Sequence, residues 1–229
     1  MKIEYIYHSG FSIETKNYFL VFDYYKGDIN LSNKKTIVFS SHGHVDHFNP
    51  AIIQWSNEHP NISYVLSSDI NVESSSPNIY IMKPYESLNL DNIYIKSFGS
   101  TDLGLSFLIN VDDKTIFFAG DLNWWYWNDD SDDEKLIMEK AFKEEIDKIK
   151  NNNIDIDVAF FPVDPRLKEN FHIGGEYFIK ELKPKFFIPM HFGDNFNTTT
   201  SFKQKVDSSS SQIIEIYKRN QIIEIDDNR

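Results

Sequence analysis

The chain has 229 residues, no cysteine and a formal net charge of -12. This composition excludes disulfides, thiolate metal ligands and a cysteine nucleophile, and so acidic a surface disfavours general binding to a phosphate backbone. With 41% hydrophobic and 15% aromatic residues there is ample material for a large core, which excludes a disordered chain, and the length suits one domain over residues 1–229.

Short β-branched and aromatic runs dominate the chain in order: KIEYIY, YFLVFDYY, TIVFSS, YVLSS, NIYIM, NIYIKSF, LSFLINV, TIFFAG, DVAFFPVD, KFFIPMHF, IIEIYK and IIEI. These read as strands. Lys2 to Ile6 alternate in polarity, as a strand with one buried face does, whereas TIVF and VAFF are apolar throughout and read as central strands. A helix should start at Asn49-Pro50, an N-cap followed by proline, and carry Ile52, Ile53 and Trp55. A second begins near Ser131, where Ser131 and Glu134 fit a capping box, and continues through Met138, Phe142, Ile146 and Ile149. A third spans Gly175 to Leu182 before Pro184, and the serine runs at 74–76 and 208–211 read as loops. Many strands with a few interspersed helices predict an α/β sandwich. No apolar run approaches the roughly 20 residues of a membrane span, and MKIEYIYHSG lacks the apolar centre of a secretory signal. A cytoplasmic protein with no membrane partner is expected.

The chemical signal is FSSHGHVDHF at 39–48, which places His42, His44, Asp46 and His47 between the strand TIVFSS and the helix expected from Pro50. Imidazoles and a carboxylate are ligands that zinc, manganese and iron accept, and one tight loop delivers several of them at little ordering cost. Three of only seven histidines fall within six residues, which favours a metal loop over a solvated surface loop. Partners should stand at other strand ends, and two do: Asp121 closes TIFFAGD, and His191 closes KFFIPMH. Taken alone, Asp121 reads as a turn former or cap, and His191 as a packed, hydrogen-bonded histidine.

The order H-x-H-x-D-H, then a strand ending in Gly-Asp, then a distal strand ending in Pro-Met-His-Phe resembles the metallo-β-lactamase fold superfamily of metal-dependent hydrolases. HSGFSIET looks like its opening hairpin and VFDYYKG like its first acidic motif; the nearest branch is the small sugar-acid-lactonase-like hydrolases. The resemblance implies a four-layer αββα sandwich of two mixed sheets flanked by helices. It also implies that His42 and His44 hold a first metal, that Asp46, His47 and His191 hold a second, and that Asp121 bridges them. Asp46 and Asp121 would be the catalytic carboxylates, serving a metal-bound hydroxide that attacks an ester, lactone or phosphoester of a small metabolite. Asp23 would stand behind the ligands and orient one of the histidines; His8 would do the same or simply support the opening hairpin.

The departure is in the third motif, where the family places another histidine and this chain reads SFGSTDLGLSF. Asp102 could replace it with a carboxylate, Ser100 or Thr101 with a hydroxyl, or water could fill the place. An oxygen ligand would shift preference from zinc toward manganese or iron, and an absent one would leave one ion rather than two. The alternative function is therefore a metal- or ligand-binding protein with a degenerate first site. His172, Trp124 and Trp125 are candidate substrate contacts; for the tryptophans of LNWWYW, core packing is an equal alternative. The expected partner is a small-molecule substrate and not nucleic acid, and a homo-oligomer stays open.

Overall fold

The structure is a computed structural model that describes residues 1–72, 78–207 and 209–225. The expected loop at 74–76 and Ser208 lie outside the described residues. The apolar runs form two seven-stranded mixed sheets. In the first, β1 (Lys2–Tyr7), β2 (Gly10–Glu14) and β3 (Tyr18–Phe22) pair antiparallel, and β3, β4 (Lys35–Ser40), β5 (Ile62–Ser67) and β6 (Ile79–Met82) run parallel. In the second, β7 (Ser87–Leu90), β8 (Ile93–Phe98), β9 (Ser106–Val111) and β10 (Lys114–Phe118) are antiparallel. From β10 onward β11 (Val158–Pro162), β12 (Phe186–Met190) and the short β13 (Gln212–Ile213) run parallel, and β14 (Ile222–Glu224) pairs with β1 at the edge of the first sheet.

The two-residue period of a strand explains which face meets which. Phe22 of β3 stacks on Phe118 of β10 at 4.7 Å between ring centroids, and Phe11 of β2 meets Phe160 of β11 at 4.8 Å. These rings join the sheets. The alternate residues Phe19, Val21 and Val38 form a second apolar cluster with Ile52, so β3 and β4 are buried on both faces and read as unbroken apolar runs.

On the second sheet lies α1 (Asp132–Lys150), which starts with the expected Ser131–Glu134 capping box and buries Phe142, Ile146 and Ile149. Beside it α2 (Ile173–Leu182) begins two residues earlier than expected and packs Phe178 4.7 Å from Phe161. The helix expected from Pro50 is a 3₁₀ segment, Pro50–Asn57, capped by the Asn49 side chain. Tyr64 Oη donates to the Ile52 carbonyl at 2.8 Å, so a side chain takes an acceptor that a continuing α-helix would use. A further helix, α3 (Asn197–Lys205), was not expected, because Asn-Thr-Thr-Thr-Ser has poor helical propensity; Phe202, stacked on Phe187 at 5.1 Å, anchors it. Among the described residues no helix is long and apolar enough to cross a membrane.

Candidate metal centre

Strand ends from both sheets converge on one edge of the sandwich, and that edge collects the polar residues. The loop after β4 carries His42, His44, Asp46 and His47; Asp121 follows β10, His191 follows β12, and the β1–β2 turn contributes His8. His42, His47, Asp121 and His191 are almost wholly buried, whereas His44 is exposed. Parallel strands enforce this placement, since each ends at the same side of its sheet.

The close packing of these loops depends on two glycines. Gly104 has φ +79°, and a Cβ there would lie 2.1 Å from the Ser41 carbonyl oxygen and 2.4 Å from His42 Cβ. Gly120, just before Asp121, has φ +53°, with Ser41 Cβ 2.7 Å from where its own Cβ would be. Both conformations are left-handed, and only glycine fits the space as well. Among the non-glycine residues, His8, Asp23 and His191 also have positive φ, at 60°, 39° and 69°. Such strain is of order 1–3 kcal/mol each and must be offset by surrounding contacts.

Asp121 is the centre of the arrangement. Its Oδ2 lies 3.4 Å from His42 Nε2, while its Oδ1 lies 3.3 Å from both His47 Nε2 and His191 Nε2. His44 Nδ1 is 3.0 Å from His42 Nε2. Donor atoms of His42, His44 and Asp121 fall within 4.8 Å of one another, as do those of His8, Asp46, His47 and His191. Ligands bonded at about 2.0–2.1 Å to one tetrahedral ion are separated by roughly 3.3 Å, so the spacings suit cation coordination better than hydrogen bonding. His47 Nε2 and Asp121 Oδ1 are buried without a hydrogen-bond partner, which is costly unless a cation satisfies them. The residues therefore fit a divalent metal.

Groups behind these atoms set the ring tautomers. Asp23 Oδ2 accepts from His47 Nδ1 at 2.7 Å and from the Ser41 hydroxyl at 2.6 Å. With its proton spent on Asp23, Ser41 Oγ accepts from His42 Nδ1 at 2.9 Å. His191 Nδ1 donates to Asp164 Oδ2, also at 2.9 Å. Each of the three rings thus presents an Nε2 lone pair inward. Burial is the main cause that pushes His42 and His47 down to about 3 and His191 to about 4, keeping all three neutral as ligands must be. Burial also raises Asp121 well above the usual carboxylate range, with the charges of Asp23, Asp102 and Asp46 adding to it, and that repulsion is what a cation relieves. Asp23 rises to about 7 through burial, opposed by His42 and the Ser41 hydrogen bonds.

The third-motif segment stands beside the centre without joining it. Thr101 Oγ1 donates to the Asn123 carbonyl at 2.5 Å and accepts from the Asn123 amide at 2.9 Å, tying its loop to the one after Asp121. Ser100 Oγ accepts from the Asp102 amide, and Asp102 is exposed on the wall of the cleft. None of these three belongs to the groups of convergent donor atoms found among the described residues.

The cleft over the centre has a volume of about 340 Å³. Trp125 lines it and donates Nε1–H to the Asp121 carbonyl at 3.0 Å, and Trp127 stacks on Trp125 at 6.1 Å. Trp124 instead packs between α1 and α2, 6.0 Å from Phe142 and 6.1 Å from Tyr177. His172 sits at the start of α2 near Glu176 and does not line the cleft.

Asp164, Arg166 and Asp69 were not anticipated. Asp164 closes β11 as Asp121 closes β10, and the following Pro165 disguised it as a cap, which it also is. Its Oδ1 and Oδ2 accept from Arg166 Nε and its Oδ2 from Nη2, so the Asp164 that holds His191 is itself held; burial pushes its pKa up, but the hydrogen bonds from His191 and Arg166 together bring it below the usual range. Asp69 Oδ2 accepts from the Gly43 amide at 2.7 Å and fixes the turn between His42 and His44.

Residues 2–191 match the family model described as a β-lactamase superfamily domain, and the chain belongs to that family. The two-sheet fold and the convergent imidazoles and carboxylates at its edge agree with that membership. The UPF0173 metal-dependent hydrolase YtkL of Bacillus subtilis is 25% identical, with 84% of this chain and 86% of that one aligned. Igni18, a metallo hydrolase from the hyperthermophilic archaeon Ignicoccus hospitalis, has a similar structure with TM-score 0.70 and 18% identity over 98% of this chain and 99% of its own. The diiron β-hydroxylase CmlA from Streptomyces venezuelae shares the fold with TM-score 0.58 and 10% identity over 90% of this chain and 47% of its own.

Proposed function

We propose that this protein hydrolyses an ester, lactone or phosphoester of a small metabolite at a centre of two divalent cations. The observation that supports this reading most is Asp121, whose Oδ2 faces the Nε2 of His42 while its Oδ1 faces those of His47 and His191. His42 and His44 would hold one cation, Asp46, His47 and His191 the other, and Asp121 both. Zinc, manganese or iron bound there would acidify a water molecule and polarise the oxygen of the scissile group.

The chain's own residues supply the rest. Asp23, Ser41 and Asp164 orient the ligand rings, and Asp46, at the mouth beside the cleft, is placed to accept a proton from the attacking water. Trp125 and Trp127 offer flat apolar surface to the substrate, and Arg166, held by Asp164 and 5.8 Å over Trp127, gives the cleft a fixed positive edge. That edge suits an anionic metabolite, and a sugar-acid lactone or phosphorylated ester fits the volume and the charge.

The test is reconstitution of metal-stripped protein with zinc, manganese and iron in turn, followed by a screen of lactones, carboxylic esters and phosphoesters. Turnover that needs added metal and disappears in Asp121→Ala and His47→Ala is expected; no turnover by any metal form would refute the proposal. The position of Ser100, Thr101 and Asp102 outside the donor groups favours one second reading, a metal- or ligand-binding protein whose first site is degenerate. One bound ion per chain and no turnover would support it, and robust hydrolysis of any substrate would end it.

A further inference from the structure

The β1–β2 turn carries a histidine whose geometry exceeds a supporting role. His8 adopts φ +60°, its amide donates to Tyr5 Oη at 2.8 Å, and its carbonyl accepts the amide of His191 at 3.0 Å. Tyr5 Oη in turn donates to the Gly193 carbonyl at 2.5 Å. Left-handed backbone in a histidine is uncommon and unfavourable, so several hydrogen bonds are spent on keeping this side chain where it is. The ring lies 4.0 Å from that of His191 and 5.7 Å from that of His47, between centroids.

Its Nε2 points at the centre. That nitrogen is buried, makes no hydrogen bond, and lies 3.4 Å from Asp46 Oδ2, the spacing already seen between Asp121 and its histidines. It also belongs to the group of convergent donor atoms with Asp46, His47 and His191. A histidine serving only the hairpin would have no reason to turn an unpaired nitrogen toward three other donors.

We propose that His8 Nε2 is a ligand of the second cation. The inference rests on the reading that this edge of the sandwich holds divalent metal. With His8 the second cluster has five protein donors, His8, Asp46, His47, His191 and Asp121 Oδ1, against three in the first, His42, His44 and Asp121 Oδ2. Five nitrogen and oxygen donors exceed what tetrahedral zinc takes and suit the higher coordination of manganese or iron, so the second site loads first and prefers those ions. The opening hairpin thus adds a ligand to one half of the centre while the third motif adds none to the other.

Calorimetry of metal-stripped protein with Mn(II) tests the affinity, and proton NMR of the Co(II)-loaded protein tests the ligation. His8→Asn is the informative variant because asparagine tolerates left-handed backbone; His8→Gln is a second, and circular dichroism of the metal-free forms checks that both fold. Loss of about 100-fold or more in affinity at the tighter site is expected, beyond the 10- to 100-fold typical when a group behind a ligand is removed. One hyperfine-shifted, exchangeable imidazole N–H resonance should also vanish. Unchanged affinity, or a full set of shifted resonances in both variants, would overturn the ligand role while leaving the hydrolase reading intact. A wild-type protein that binds no Mn(II) or Co(II) would overturn both.

Discussion

The two groups of donor atoms that meet at Asp121 differ in how their members are held. The half with His47 and His191 is buried, its rings are locked from behind by Asp23 and Asp164, and its donors come from both sheets. The half with His42 and His44 draws both imidazoles from one loop, and His44 is exposed. His42, by contrast, is buried and held through Ser41 by Asp23, so of these two imidazoles it is His44 alone that reaches solvent without such support.

Breaking the shared residue should have the largest effect. Asp121→Asn is expected to cost at least about 1,000-fold in kcat/KM, roughly 4 kcal/mol of barrier, with loss of bound metal measured by mass spectrometry. If the variant kept its metal and its turnover, the halves would not be joined through this carboxylate. Chelation should come next: an ion present at 100 to 1,000 times its dissociation constant stabilises the fold by about 2.7–4.1 kcal/mol, so metal-stripped protein should melt several degrees lower in calorimetry, and addition of metal should reverse it.

Gly104→Ala probes the packing between the third-motif loop and His42. A methyl group 2.1 Å from the Ser41 carbonyl cannot be accommodated without backbone movement, and a loss of about 2–4 kcal/mol by urea unfolding is expected. Asp164→Asn sharpens the contrast between the halves, because His191 is the histidine ring that Asp164 holds. Metal affinity at the tighter site should fall about 10- to 100-fold, with the weaker site little changed in calorimetry. Thr101→Val should have the smallest effect, about 1 kcal/mol of stability from its bonds to Asn123 and no change in metal content. A fall in metal content would restore Thr101 as a ligand and undo the asymmetry.

Much of this was legible in the residues themselves. The alternating and continuous apolar runs marked the strands, Ser131 and Glu134 marked α1, and the density of His42, His44, Asp46 and His47 marked a metal loop, because each of these is a local pattern. Asp121 and His191 were also visible, as polar residues at the ends of apolar strands. Asp164 has the same signature, but Asp-Pro is equally the local pattern of a cap, which it also is. α3 was hidden because its threonines disfavour a helix that only the docking of Phe202 stabilises.

What the sequence determined by itself is therefore the donor types, the absence of thiolate ligands and the order in which carboxylates and imidazoles arrive at strand ends. What only tertiary structure decided is their partition. Which oxygen of Asp121 meets which histidine, that Thr101 binds a neighbouring backbone, and that His8 and His191, 183 positions apart, lie ring against ring all depend on how two sheets stack. Distances of a few ångströms between remote residues are set by the packing of Phe22 on Phe118 and its neighbours, and no local pattern encodes them.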